Sequence, residues 1–555
     1  MNFSFIQIKV SKIICLLQGG EPPIDGSSKA LYLISLNRVE STMHLYRSIV
    51  TVGGFTFLSR VTGFIRDALI AGILGVSGLT DAFFVAFKLP NFFRRFFAEG
   101  AFNAAFIPLF SGVLVSSGPL AARLYGEKIF ALLLFSLAGF VLLFEPLMPW
   151  AVFLFAPGFE ATPERFDLAV TLSRITFPYI LFISLASLLS GILNSMGKFA
   201  APAGTPIILN LTMSVALFMI FCEWISPGEG LAWAVFFAGI FQLAWLWVSC
   251  YFQGMEMRLS YPQFSPEAKK LLFLGIPGAI SAGVFQLNFL MDGVFASWLS
   301  PGSVSYLFYA DRLNQLPLGL VGIAVSTALL PELIKHIKSH HFKEANYTQN
   351  RALEFALAVT LPAAVGLIIL GTPLVALLFE RGAFTSEDAQ ATGYTLSAFS
   401  IGLPAYVLVK IFQTQFFARQ DTKTPMKVAI AAVGLNFILN CLLIGPFSYV
   451  GLALSTAISA WVNATALGIL LLRKEWIIFD ERLKRILPRL IIASFLMGLF
   501  CYEIQLMMPL PKVSLMRMSV VGFWVLGGGL AYIIVARLVG AFYFSDLQKL
   551  LKNKS

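Results

Sequence analysis

"KLPNFFRRFFAEGAF" (88–102) sits inside a long apolar run, yet it carries Lys88, Arg94, Arg95 and Glu99. A packed core or lipid is a costly place for such groups, and an ionisable residue at that depth usually faces a bundle interior or a wet cavity. The composition decides which environment applies. Of 555 residues, 58% are hydrophobic, 14% aromatic and 12% charged, against a charged share of about 25% in globular proteins. The mean hydropathy is +0.81, which over this length describes a polytopic membrane protein with a polar interior. The net charge of +11 then reads as the Lys/Arg excess of cytoplasmic loops and implies no nucleic-acid partner.

About fourteen apolar stretches lie between residues 50 and 540, each long enough to cross some 30 Å as a helix. They begin with 50–75 and 80–113, include 167–196, 270–298, 303–335 and 388–418, and end with 485–508 and 515–539. The second would be about 50 Å long as one helix, and Pro90, which lacks an N–H, is the expected bend. With the N-terminus in the cytoplasm, alternate loops hold roughly twenty Lys/Arg on the inner side and about four on the outer side. Both termini are therefore expected inside. Residues 1–42 differ from the rest. "GGEPPIDGSSK" is rich in turn formers, and the segment reads as disordered or as lying ahead of a natural start at Met43.

The sequence repeats. "LFAPGF" (154–159) and "LFERGAF" (378–384) align with Gly158 and Gly382 224 apart. "GKFAAP" (197–202) matches "QDTKTP" (420–425), and "AFKLP" (86–90) matches "ADRLN" (310–314), setting Lys88 against Arg312. One period holds six spans. An even number inserts the second copy in the same orientation as the first, so the expected architecture is all-α. Two six-helix lobes are related by a pseudo-two-fold along the membrane normal, with two further C-terminal helices. The expected divisions are a first lobe 43–256, a second lobe 257–475, and the extra pair with a cytoplasmic tail, 476–555.

Charge within the spans is not scattered. The first holds Arg60, Arg66 and Asp67, with Arg60, Gly63 and Asp67 on one helical face. The second offers Asp81, Lys88 and Arg95 at successive sevens, with Glu99 one turn beyond Arg95 and Arg94 about 100° away. The seventh holds Asp292, and the eighth Asp311 and Arg312. Snorkelling would account for Arg94 and Arg95, simple pairing for Asp67, and helix bridging for Asp292. None of these explains why the basic groups gather in three spans while others have almost none; a cation-lined cavity does. Arginine binds phosphate oxygens through a planar fork and keeps its proton, so several facing one cavity point to a phosphate or diphosphate ligand. "GILNSMGKF" (191–199) fails as a P-loop, because Phe199 stands where Ser or Thr is required. No enzymatic motif and no ATP-binding module is legible, which leaves gradients or voltage as the drive. The five cysteines and four histidines show no metal-ligand spacing.

"SRVTGFIRD" (59–67), "TDAFFVAFKLPNFFRRFFAEGAF" (80–102), "YADRLNQLPLGLVGIA" (309–324) and "RQDTKTP" (419–425) resemble the MurJ (MviN) lipid II flippases of the multidrug/oligosaccharidyl-lipid/polysaccharide exporter superfamily. The resemblance implies alternating-access transport of lipid-linked peptidoglycan precursor across the bacterial inner membrane. It also implies a groove for the polyprenyl tail on the last two helices, contact with membrane lipids, and work alongside the cell-wall synthesis machinery. It implies no catalysis. By position it assigns substrate binding to Arg60, Arg66, Asp67, Asp81, Lys88, Arg94 and Arg312, and gating to Glu99 and Asp311. Gln315 stands where some members carry glutamate. Some members bind sodium in the second lobe; Asp292, Asn436, Asn440 and Thr456 would supply oxygens for it, with the membrane potential as the other source of coupling. Rival readings are a flippase for another undecaprenyl-diphosphate glycan and a membrane-embedded glycosyl or phosphoglycosyl transferase. The latter lacks a metal-holding acidic cluster.

Overall fold

The computed structural model describes residues 26–97, 101–262, 290–511 and 514–541, with isolated positions between 266 and 273; side chains of residues 26–49 and of a few short stretches lie outside the description. Among these residues all regular structure is helical. The first lobe holds α1 (Gly26–Leu74), α2 (Gly78–Phe97), α3 (Ala101–Phe144), α4 (Met148–Phe155), α5 (Pro163–Thr176), α6 (Tyr179–Ser195), α7 (Ala200–Phe221) and α8 (Pro227–Phe252). The second holds α9 (Ser303–Pro317), a π turn (Leu318–Ile323), α10 (Ala324–Lys338), α11 (Phe342–Phe379), α12 (Ser386–Ile401), α13 (Leu403–Ala418) and α14 (Lys423–Arg473). Then come α15 (Glu481–Met507) and α16 (Ser514–Leu538), which pack on α11 through Leu490, Met497, Trp524 and Tyr532.

Nine helical segments among the described residues are long and apolar enough to cross a membrane. The count is compatible with fourteen spans. The 51-residue α14 is two helices joined at a break at Ser448, and α3 breaks at Gly118 (φ +82°) before Pro119. The helices of the first, second and eighth spans are absent from the nine. They carry intramembrane charge, and the helix of the eighth span is cut to 15 residues by the π turn.

Three expectations change. Residues 26–42 are helical and continuous with the first span rather than disordered; residues 1–25 lie outside the described residues. Pro90, the expected bend, lies inside α2, which runs on to Phe97. The proline frees the Ala86 carbonyl, and Thr176 Oγ1 donates to that oxygen at 2.8 Å. The fourth span breaks between Thr176 and Tyr179 at Pro178, and the tenth between Ile401 and Leu403 at Gly402. The eighth is interrupted by the π turn.

These breaks keep the repeat, since Pro178 and Gly402 are 224 apart. Gly197 and Gln420, from the aligned "GKFAAP" and "QDTKTP", both adopt left-handed backbone (φ +74° and +62°) just past the ends of α6 and α13. Equivalent residues of the two copies also touch. Asp81 hydrogen-bonds Ser305, and Phe84 stacks on Phe308 with centroids 3.9 Å apart; each pair is separated by 224. Residues that meet their own counterparts lie on the axis relating the copies. Successive pairs run along α2 and α9, so that axis follows the helices and hence the membrane normal.

With the Lys/Arg-rich side taken as the inner one, the largest buried cluster joins the first lobe to α9 and the outer half of the second lobe through Phe308, Tyr309, Phe379 and Phe384. The inner half of the second lobe has its own core around Leu333, Ile411 and Leu467. Among the described residues apolar continuity between lobes thus lies toward the outer side and reaches Leu313. Loop charges pair by side. Inside, Arg123 meets Glu127 and Glu256, Arg351 meets Asp480, and Lys474 meets Asp421. Outside, Arg517 meets Glu380. Burial works against the charge on Asp421, but the Thr424 N–H and hydroxyl and the Lys474 ammonium hold its carboxyl below the ordinary range.

Thr176→Val keeps the shape of the side chain and removes the donor to Ala86. The expected cost is about 1–3 kcal/mol, seen as a lower Tm of the detergent-purified protein with unchanged helicity by circular dichroism. An unchanged Tm would show that the freed carbonyl is satisfied some other way.

Candidate functional site

Asp81 is fully buried at the outer end of α2 and is the densest polar junction between the lobes. Its Oδ2 accepts from Arg165 Nη2 at 2.6 Å and from the Gly302 N–H at 2.7 Å. Its Oδ1 accepts from the Ser305 N–H at 2.8 Å and from the Ser305 hydroxyl. Gly302 and Ser305 open α9, whose first N–H groups have no partner within the helix. A carboxylate of the first lobe therefore caps a helix of the second, where the positive end of the helix dipole favours it. Arg165, itself buried, lies 3.7 Å over the Phe159 ring and completes the pair.

Two glycines close the same end. A Cβ on Gly158 would collide with the Ser297 carbonyl of the second lobe, and one on Gly382 with the Gly72 carbonyl of the first. Gly158 N–H donates to Ser297 Oγ at 2.9 Å, and Ala383 N–H to Gly72 O at 2.8 Å. These are the glycines of the aligned "LFAPGF" and "LFERGAF". Each lobe thus inserts the same loop against the last turn of the other lobe's first helix. Such close approach requires the missing side chain.

Below this seal the helices open. α9 is almost wholly buried from Ser303 to Ala310, while Gln315 and Leu316 are exposed. At this level Asp67 links the lobes: Arg312 Nε lies 3.4 Å from its Oδ2, and Arg66 Nη2 2.6 Å from its Oδ1. Arg312 remains one-third exposed, stacked 4.8 Å over Phe308. Arg60 is exposed two turns nearer the inner side, against Gly319 of the π turn, where a Cβ would stand 2.6 Å from its guanidinium.

Two of the residues assigned to substrate are turned elsewhere. Arg66 points into the first lobe, where Nη1 donates to Asn210 Oδ1 at 2.9 Å, and it is buried. Six residues at about 100° each put it across the helix from Arg60. Asp81 belongs to the seal. Lys88 is walled by Val85, Phe92, Phe155 and Leu290, with Asp311, Asp292 and Asp81 as its acidic neighbours. Asp311 accepts from Gln315 Nε2, so glutamine here serves the acid one turn away. Arg94 is half-buried at the inner part of α2. Glu99 and the side chain of Arg95 lie outside the described residues.

The four oxygen-bearing residues named for sodium do converge. Thr456 Oγ1 donates to Asp292 Oδ2 at 3.3 Å, Asn436 Nδ2 to Thr456 Oγ1 at 3.3 Å, and Asn440 Nδ2 to Asn436 Oδ1 at 3.2 Å. Asn440 Oδ1 is buried without a hydrogen-bond donor. A carboxylate, a hydroxyl and an orphaned amide oxygen form a hard-oxygen set that fits a small cation.

Sequence reading passed over Arg165, Ser305 and Asn210. Arg165 had been counted as an ordinary outer-loop charge. The signal was its isolation among Glu160, Glu164 and Asp167. Asn210 carries no such mark; only the fold brings it to Arg66.

A sequence profile described as Lipid II flippase MurJ matches residues 70–521. The chain is 40% identical over 520 residues to a probable lipid II flippase MurJ of Rhizobium tropici, covering 92% of this chain and 97% of that one. It is 42% identical over 465 residues to a protein of the same description from Rhizobium meliloti (strain 1021), covering 83% and 86%. A solved structure described as lipid II flippase MurJ in an inward closed conformation superposes with a TM-score of 0.74 at 29% identity, covering 90% of this chain and 99% of that one. An inward-facing multidrug resistance MATE family transporter of the MOP superfamily shares the fold, with a TM-score of 0.63 at 12% identity over 75% of this chain and 94% of that one.

Asp81→Asn removes the charge that Arg165 and the α9 N-terminus share. Breaking a buried pair costs about 3–5 kcal/mol, enough to move a two-state equilibrium by more than a hundredfold. A cysteine at Ser303, buried in the seal, should then react faster with a membrane-impermeant maleimide from the outer side. Equal reactivity with and without Asp81→Asn would mean the seal does not depend on this carboxylate.

Proposed function

We infer, for a chain that belongs to the lipid II flippase MurJ family, that this protein moves lipid II from the cytoplasmic to the outer leaflet of the bacterial inner membrane. The observation that carries the reading is the polar seam below the seal. There Asp67 holds Arg312 across the lobe boundary, Arg60 stands exposed beside it, and the described residues shut the outer end. A diphosphate entering from the inner side meets Arg312 with its fork only partly engaged. Phosphate oxygens can compete with Asp67 for that guanidinium, and two parallel N–H···O bonds favour them. Taking Arg312 from Asp67 removes one of the bonds joining the lobes, so substrate occupancy favours rearrangement between inward-open and outward-open states. Arg66 acts at one remove, fixing Asp67 through its own pairing and Asn210.

The bilayer core opposes passage of a charged sugar-peptide head group, and a wet cationic cavity removes that barrier while the polyprenyl tail stays in lipid. Helices α15 and α16, packed outside the second lobe on α11, are the surface we assign to the tail. The Lys/Arg bias of the loops supports both termini being cytoplasmic. Drive comes from the membrane potential, at about 2.3 kcal/mol per charge per 100 mV, or from a cation. Asp292, Asn436, Asn440 and Thr456 would hold sodium, whose charge would compensate Asp292 when bound. The two readings of drive separate on one test. If the cluster takes sodium, added Na+ raises the Tm of the wild type but not of Asn440→Ala; if both respond alike, coupling through this cluster is excluded.

Depletion of the protein should leave lipid II on the inner leaflet, and complementation should then rank the arginines. Arg312→Lys keeps the charge and loses the fork, so it should fail to restore growth at normal membrane abundance. Arg60→Ala should do the same. Arg66→Lys should fail through loss of the Asn210 contact and show a lowered Tm, a signature Arg312→Lys lacks. Normal growth with Arg312→Lys would remove the diphosphate reading of the seam.

A further inference from the structure

Lys410, in α13, is an ammonium in the middle of a span for which neither sequence pattern nor fold has given a task. It is half-buried, and no acidic side chain among the described residues pairs with it. Eight residues, about 12 Å of helix, separate it from Ala418 at the inner end. Lys88 shows the contrast, since it is surrounded by Asp311, Asp292 and Asp81. An uncompensated ammonium in a span is costly where a Met or Leu would pack as well.

The direction it faces gives the reason. A Cβ added to Gly322 would stand 3.1 Å from Lys410 Cδ, and one added to Gly319 would stand 2.6 Å from the Arg60 guanidinium. Both glycines belong to the π turn Leu318–Ile323 that interrupts the eighth span, and π turns recur at functional sites. Two side-chain-free positions of one turn therefore receive cations from opposite lobes, Arg60 from the first and Lys410 from the second. Tyr406, one turn before Lys410 on the same face of α13, lies within electrostatic reach of Asp292 and Asp311. That face of α13 thus looks toward the interlobe seam rather than toward lipid.

We propose that Lys410 is a second-lobe anion-binding residue of the cavity, which with Arg60 holds an anionic oxygen of the lipid-linked substrate over the π turn. The inference rests on the flippase reading above and adds a subsite to it, one helical stretch nearer the inner side than Arg312. The oxygen belongs either to the diphosphate or to a carboxylate of the stem peptide; the chemistry is shared, an oxyanion accepting charge-assisted hydrogen bonds.

The test compares wild type, Lys410→Met and Lys410→Arg as full-length protein in detergent, titrated with lipid II bearing its full peptide and with undecaprenyl diphosphate, binding being read by native mass spectrometry. Loss of one charge-assisted contact should weaken binding by about ten- to a hundredfold in Lys410→Met, with Lys410→Arg near wild type. If both ligands weaken equally, the oxyanion is phosphate; if only the peptide-bearing lipid weakens, it is a carboxylate. Either result supports the subsite. The Tm of Lys410→Met should be no lower than that of wild type, because an unpaired buried charge has been replaced by an apolar side chain; a lowered Tm with unchanged affinity would make Lys410 a packing residue and overturn the proposal. Wild-type affinity for both lipids in Lys410→Met also overturns it, leaving the flippase reading intact. Failure of the wild type to bind either lipid removes that reading and this subsite together.

Discussion

A single carboxylate, Asp81, closes the outer end of the molecule by doing for the second lobe's α9 what a helix cannot do for itself. It satisfies the N–H groups of Gly302 and Ser305 from across the lobe boundary while Arg165 balances its charge. Burying that set is worthwhile only when every lone pair is used, because desolvation of an ion pair cancels much of its attraction. The contact is therefore strong when complete and weak when any partner leaves. Such all-or-none behaviour suits a closure that has to open. It also sits on the pseudo-symmetry axis, so separating Asp81 from Ser305 parts the lobes where they meet.

The inner half has the opposite design. Among the described residues buried apolar continuity between lobes runs along α9 as far as Leu313, and the polar residues beside and beyond it are Asp67, Arg312 and Arg60, with the glycines of the π turn. Charge replaces packing where the lobes must separate to admit a polar head group. Asp67 and Arg312 bridge the gap with one bond; on the function proposed above a substrate oxyanion would take it over, so that occupancy of the cavity and attachment of the lobes would compete for the same guanidinium. The reciprocal glycines Gly158 and Gly382 matter for the same reason: they let backbone meet backbone in one state without side chains to obstruct the other.

Much of this was legible in the sequence because two constraints are severe. Intramembrane charge is expensive, so Arg60, Asp67, Lys88 and Arg312 announced a polar interior. A two-fold relation fixes spacing, so an offset near 224 aligned Gly158 with Gly382 and Lys88 with Arg312 before any coordinates. Side-chain direction was not legible to the same degree. Arg66 adjoins the cavity face in sequence yet turns into the lobe, because Asn210 waits on that side. Asp81 shares a stripe with Lys88, but the stripe passes from a sealed level to an open one, and nothing in a heptad spacing says where that change falls. Arg165 was hidden by standing among acidic residues at the start of α5, next to a polar connection where charge costs little and so carries little information. The partner of the carbonyl that Pro90 frees was hidden as well: Thr176, some ninety residues away, supplies it.

We propose that the two lobes rock against each other along the α2–α9 contact, about a pivot lying in the membrane plane, opening one side as the other closes. Spin labels at Glu160 and Glu387, exposed in the outer loops of the two lobes, report the outer width, and labels at Lys198 and Gln420, exposed in the equivalent inner loops, report the inner width. Pulsed electron paramagnetic resonance in liposomes, with and without lipid II, measures both distance distributions. The account predicts that lipid II populates a state in which the outer pair is longer and the inner pair shorter, the two changes occurring in the same fraction of molecules. Distances that stay fixed in both pairs, or that lengthen together, in protein that still moves lipid II would contradict it.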